Sequence, residues 1–252
     1  MYWEFALILV VLGVAVPWLG RHRIQQLMQA PQTSKLDRLV LYASTVAFQW
    51  AAAGAVLWRT NAHGIHASQL GLAIPRTSLT LAVSVVLSLF VLAHQVFSLR
   101  RLASRPPEMN GVLPQMALKV FPQDDVERLA FFALVATVAV CEELIYRGFV
   151  QLVFERWLGG FVVAGVVGSA VFFSLAHLYQ GRRGMATTLA VGLLFAAIRA
   201  WTGSLGAPLV AHFVADLVVG LMAPGRLRVA LALADKDGEL SQKTSKAALR
   251  RI

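Results

Sequence analysis

The stretch Cys141-Glu142-Glu143-Leu144-Ile145-Tyr146-Arg147-Gly148-Phe149 places two carboxylates and a guanidinium inside a run otherwise apolar enough to lie in a membrane. A charged side chain at the centre of a membrane helix costs about 2.5–3.5 kcal/mol on insertion scales, so such a residue is expected to have a partner and a use. On a helix Glu143 and Arg147 are four apart, share a face and can pair, which lowers the cost of burying both. Glu142 lies about 100° further round, in line with Tyr146 and Phe149, and is left without its own cation. The bland alternative is that Glu143 and Arg147 staple the bundle and Glu142 is satisfied by a neighbouring helix.

Working outward, Asp124 and Glu127 have the spacing of a capping box and start a predicted helix over 124–154. At about 1.5 Å per residue it spans roughly 45 Å, longer than a bilayer core requires, with Glu142 near its middle.

The rest of the chain is in keeping with a membrane setting. Of 252 residues, 58% are hydrophobic and 14% charged, and the mean hydropathy is +0.66. A soluble domain has an apolar share of about 45–50%. The predicted fold is all-α: a polytopic membrane helix bundle of about seven transmembrane helices, or eight with a short re-entrant element. The expected spans cover 5–19, 39–58, 79–97, the long helix, a fifth ending at 177–178, 185–198 and 208–222. No small-residue cleavage site follows the first, so it reads as retained. A proline-rich connector, 98–123, separates an N-terminal three-span region, 1–123, from a four-span core, 124–223, and a basic tail, 224–252, follows.

The net charge of +10 sits between the apolar runs and in the tail, where it sets topology, so nucleic acid is rejected as a partner. Arg21, Arg23, Lys35 and Arg38, then Arg100, Arg101, Arg105 and Lys119, then Arg182 and Arg183 fall on one side of a seven-span path. This places the N-terminus outside and the C-terminus in the cytoplasm, and the compact loops suggest a bacterial inner membrane. The lone cysteine, Cys141, excludes an internal disulfide and reads as a small buried thiol.

Two further polar constellations interrupt the later spans. Phe173 and His177 share a face at four-residue spacing, so the ring can wall one side of the imidazole; alone, a histidine at a span end is more often structural. His212 and Asp216 share a face too, and a carboxylate one turn from an imidazole can fix its tautomer or bind a common third atom. Taken together, one carboxylate and two histidines from three spans are the groups needed to activate water inside a bilayer. Ser204 reads as a helix cap rather than a nucleophile, and Gly181-Arg182-Arg183-Gly184 is too short for a phosphate loop.

These motifs, Glu-Glu-x-x-x-Arg at 142–147, Phe-x-x-x-His at 173–177 and His-x-x-x-Asp at 212–216, resemble those of the CAAX-protease and bacteriocin-processing family of intramembrane endopeptidases. The likeness covers about 124–222. It implies a hydrolase in which Glu142 and His177 activate water while His212 and Asp216 support the oxyanion, with Glu143, Arg147 and Phe173 in support. Many members carry asparagine where this chain has Asp216, and an ionised aspartate cannot donate to an oxyanion. Either Asp216 is protonated, or it orients a donating His212, or the site holds metal. Glu142, His177, His212 and Asp216 are an acceptable ligand set for zinc or another divalent ion, so the metal-water mechanism stays open beside the favoured metal-free one. The expected partners are a membrane protein or peptide substrate and the lipid bilayer. Competing readings are a non-catalytic immunity or scaffold protein of the same fold, and a proton- or ion-coupled carrier, the latter disfavoured because no broken paired helices are evident.

Overall fold

The computed structural model describes residues 2–30, 33–103 and 119–222. The bundle consists of α1 (Trp3–Gln29), α2 (Lys35–Ala62), α3 (Thr77–Ala103), α4 (Asp125–Trp157), α5 (Val162–Ala176), α6 (Gly181–Thr202) and α7 (Gly206–Met222). A short 3₁₀ turn, Leu178–Gln180, precedes α6. No strand occurs among the described residues. Helices α1, α2, α3, α4 and the Leu178–Thr202 segment are long and apolar enough to cross a membrane, while α5 and α7 are shorter apolar helices. Val10, Val14 and Trp18 of α1 and Leu81, Val85, Leu89 and Phe90 of α3 are exposed. So large an apolar exterior is expected only where hydrocarbon is the solvent, and the chain is an integral membrane protein.

The span limits are wider than the sequence pattern predicts. α1 runs to Gln29 rather than ending near residue 19, taking Arg21 and Arg23 into the helix. Its final carbonyls are capped by the Lys119 ammonium, which donates to the oxygens of Leu27 (3.2 Å), Met28 (2.7 Å) and Ala30 (2.5 Å). α2 begins at Lys35 because Ser34 and Asp37 form a reciprocal capping box. α6 starts at Gly181 rather than 185, since the break falls earlier, at the 3₁₀ turn. Most of the expected connector and the basic tail lie outside the described residues.

Helix α4 is the hub. Every residue from Glu143 to Val153 is buried, as expected of a helix surrounded by others. Cys141, Ile145, Phe149 and Val153 pack with Phe5 and Leu9 of α1, Ala53 and Val56 of α2 and Phe173 of α5. The cysteine is a buried free thiol.

The start of α4 is tied to α2. Asp124 caps the helix by accepting from Glu127 N at 2.9 Å. Glu127 does not complete the capping box on Asp124 but accepts from Gln123 N at 2.6 Å. Its carboxylate also meets the Arg38 fork, with Nε donating to Oε2 at 3.1 Å and Nη2 to Oε1 at 2.8 Å. Beside this pair the Lys35 ammonium, 2.7 Å from Asp124, holds that carboxyl below its usual range. At the opposite end Arg59 of α2 pairs with Glu4 of α1.

The remaining core helices interlock through small residues. α5 packs along α6, where a Cβ on Gly192 would meet Ala170 Cα at 3.1 Å. Gly203, with φ +72°, ends α6 in the left-handed conformation. Ser204 is the expected cap, accepting from Gly206 N at 3.1 Å to open α7. Leu205 N donates to Gly71 O at 2.8 Å and Arg199 Nη2 to Gln69 O at 2.6 Å, fastening the α2–α3 loop to the α6–α7 turn.

Candidate active site

The site is built where α4 changes its winding. Residues Glu143–Val150 form a π-helical segment between the α-helical stretches Asp125–Glu142 and Gln151–Trp157. A π segment closes i→i+5 bonds, adds about one residue per turn and brings adjacent side chains closer in angle than in an α-helix. It is held in place from α5, where Ser169 Oγ donates to Tyr146 O at 2.8 Å.

The consequence is that Glu142 and Glu143 both reach the same histidine on α7. His212 Nδ1 lies 2.8 Å from Glu143 Oε1, and His212 Nε2 lies 3.9 Å from Glu142 Oε2. Asp216, one turn along α7, places Oδ2 3.5 Å from Nε2. Because a carboxylate only accepts, the Nδ1 proton is fixed on the side of Glu143. Glu143 therefore does more than the sequence pattern predicts. It makes the expected pair with Arg147, whose Nη1 donates to Oε1 at 2.9 Å, and the same oxygen also holds His212. The carboxylate nearest His212 Nδ1 is thus Glu143, and Asp216 faces the other nitrogen.

Arg147 and Glu143 are both fully buried. Two faces of the guanidinium problem are met by aromatics: Arg147 Cζ sits 4.0 Å from the Phe173 ring centroid and 5.4 Å from that of Phe195. Phe173 also packs against both imidazoles, with ring centroids 4.6 Å from His177 and 5.9 Å from His212. It walls His177 as expected and joins the two histidines into one cluster.

His177 ends α5. Its Nδ1 is 2.8 Å from Phe173 O, and since a carbonyl accepts, this nitrogen carries the proton and Nε2 is the ring's acceptor. His177 and Glu142 line a common cavity of about 80 Å³, together with Tyr146, Tyr179 and Gln49. That is ample for a water molecule.

Gln49 of α2 escaped the sequence reading. Its Nε2 donates to Glu142 Oε1 at 2.9 Å, whereas Glu142 Oε2 is buried without a hydrogen-bond partner among the described residues. A signal existed, because Gln49 falls on the buried stripe Tyr42, Ala53, Val56 and Thr60 of α2 at helical spacing. The four residues considered as metal ligands are gathered around His212 and the cavity. Even so, among the described residues no three His, Cys, Asp or Glu side chains are arranged to hold a metal ion.

With this geometry in view, residues 125–218 match the family model described as type II CAAX prenyl endopeptidase Rce1-like. That segment is similar to the CAAX-protease family. The Rce1-like segment opens at the first residue of α4 and closes within α7, so it contains the π segment, both histidines and Asp216 but leaves out α1–α3 and with them Gln49. Peptide hydrolysis within a membrane is the kind of function that the family carries. No curated protein and no solved structure matches the chain.

Proposed function

We propose that the chain is an intramembrane endopeptidase in which Glu142 and His177 activate a water for attack on a peptide carbonyl. The observation that carries this reading is the shared cavity: Glu142 has one oxygen tied down and one buried without a hydrogen-bond partner among the described residues, and His177 lines the same space with Nε2 as acceptor. The water proton passes to Glu142 as the water oxygen bonds to the carbonyl carbon. His212, anchored at Nδ1 by Glu143, donates from Nε2 to the oxyanion while Asp216 steadies that proton. Collapse of the tetrahedral intermediate breaks the C–N bond, and the proton held by Glu142 goes to the leaving amine. In this scheme Asp216 orients His212, so it need not donate to the oxyanion.

The substrate is a peptide anchored in the bilayer by hydrocarbon. An apolar groove of about 300 Å³ between α1 and α2 shares Leu12, Val16, Phe48, Ala52 and Ile145 with the cavity of Glu142. A lipid-modified C-terminus, such as the name of the matching family describes, would lay its tail there and its peptide against the polar groups. The basic-residue distribution supports an N-terminus outside and a C-terminus in the cytoplasm, and the compact loops support a bacterial inner membrane.

The experiment is cleavage of a farnesylated CAAX peptide by purified protein in proteoliposomes, comparing wild type with His177→Ala and His212→Ala. Loss in both variants supports the reading. Full cleavage by folded His177→Ala contradicts the water-activating role, and absence of cleavage by wild type favours a non-catalytic scaffold of the same fold.

A further inference from the structure

We infer that Gln49 is a positioning residue, which fixes the rotation of the Glu142 carboxylate and so decides which oxygen acts as the base. The inference rests on the proposed role of Glu142.

Gln49 stands on α2, outside the segment that matches the protease family, yet its amide reaches the glutamate on α4 at 2.9 Å. The amide must present its nitrogen there, because an ionised carboxylate has no proton to give. A carboxylate on a long side chain turns freely about its last bond unless something grips it. Gln49 grips Oε1, while among the described residues Oε2 has no hydrogen-bond partner and lies 3.9 Å from His212 Nε2. The donor thus leaves one oxygen committed and the other available beside the oxyanion-binding histidine. Both Gln49 and Glu142 line the cavity that His177 closes. The path of α2 past this point is set by the Arg38–Glu127 fork at one end and the Arg59–Glu4 pair at the other, so the amide is presented by a helix held at both ends. The three-span front half therefore contributes a functional group to the core as well as packing.

The test uses the full chain in proteoliposomes, the farnesylated CAAX peptide and two variants. Gln49→Met keeps length and removes the donor; Gln49→His restores an N–H of similar reach. A positioning role predicts that Gln49→Met lowers kcat about 10- to 100-fold with KM within about twofold, and that Gln49→His recovers most of the loss. Infrared difference spectra, with Glu142→Gln identifying the Glu142 band, give a readout independent of turnover. The carboxylate stretch of Glu142 is expected to shift in Gln49→Met and to return towards wild type in Gln49→His. An unmoved band, or unchanged kcat, in Gln49→Met overturns the inference, and where Gln49→Met fails to accumulate, Gln49→Leu, which also lacks the donor, is judged by the same criterion. If the band shifts between wild type and Gln49→Met but wild type cleaves nothing, the contact stands and the peptidase reading falls.

Discussion

Replacing Glu143 by glutamine removes one charge from a pair that water does not reach. In the native fold Glu143 Oε1 accepts from Arg147 Nη1 at 2.9 Å and from His212 Nδ1 at 2.8 Å, and both members of the ion pair are fully buried. Breaking such a pair on one side costs about 3–5 kcal/mol, because the remaining charge stays in a low-dielectric interior. That is a large part of the roughly 5–15 kcal/mol that holds an ordinary domain folded. Glu143→Gln is therefore expected to accumulate poorly and to melt early in detergent. Removing the second charge as well should reverse most of this, since a neutral buried pair of similar volume is often as stable as the ionic one. In the double variant Glu143→Gln with Arg147→Met, thermal unfolding should return close to wild type. Cleavage should not return, because a neutral amide holds His212 without stabilising charge on it; by analogy with a catalytic aspartate changed to asparagine, a loss of at least about 100-fold is expected. Stability in the double variant no better than in Glu143→Gln would refute the unpaired-charge argument, and wild-type cleavage in it would refute the role given to the Glu143–His212 contact.

Other outcomes follow from the same structure. Arg38→Met should destabilise by about 3–5 kcal/mol by stranding buried Glu127, while Arg38→Met with Glu127→Met restores the unfolding temperature in a melting curve. Reporter fusions after residues 105, 156 and 251 should read inside, outside and inside; an outside reading for the tail contradicts the proposed orientation. Cleavage is expected to survive dialysis against a strong chelator, and loss that zinc restores, with about one metal bound per chain, would replace glutamate-activated water with metal-bound water.

What the sequence made legible followed from spacing along single helices. The Glu143–Arg147 pair, the Phe173–His177 face and the His212–Asp216 turn are i,i+4 relations, and each is present in the fold. Long apolar runs likewise marked the bundle, and Asp124 announced the start of α4. Less visible was anything that depended on a departure from α-helical winding or on a distant partner. Strict 100° steps separate Glu142 from Glu143 and assign the histidines to the first alone; the π segment lets both carboxylates reach His212. Gln49 is 93 residues from Glu142, and Arg38 is 89 from Glu127, so no local period joins them. Span limits were underestimated where polar side chains were read as loop, although capping by Lys119 and Ser34 carries the helices further.

The most direct test of the central claim is the cleavage rate of Glu142→Gln, reconstituted in proteoliposomes and shown by its melting curve to be folded. The near-isosteric amide keeps the volume of the side chain and can still meet Gln49, but it cannot take a proton from water. The account predicts a folded protein with no detectable hydrolysis of the farnesylated peptide, and near-normal hydrolysis by this variant would contradict it.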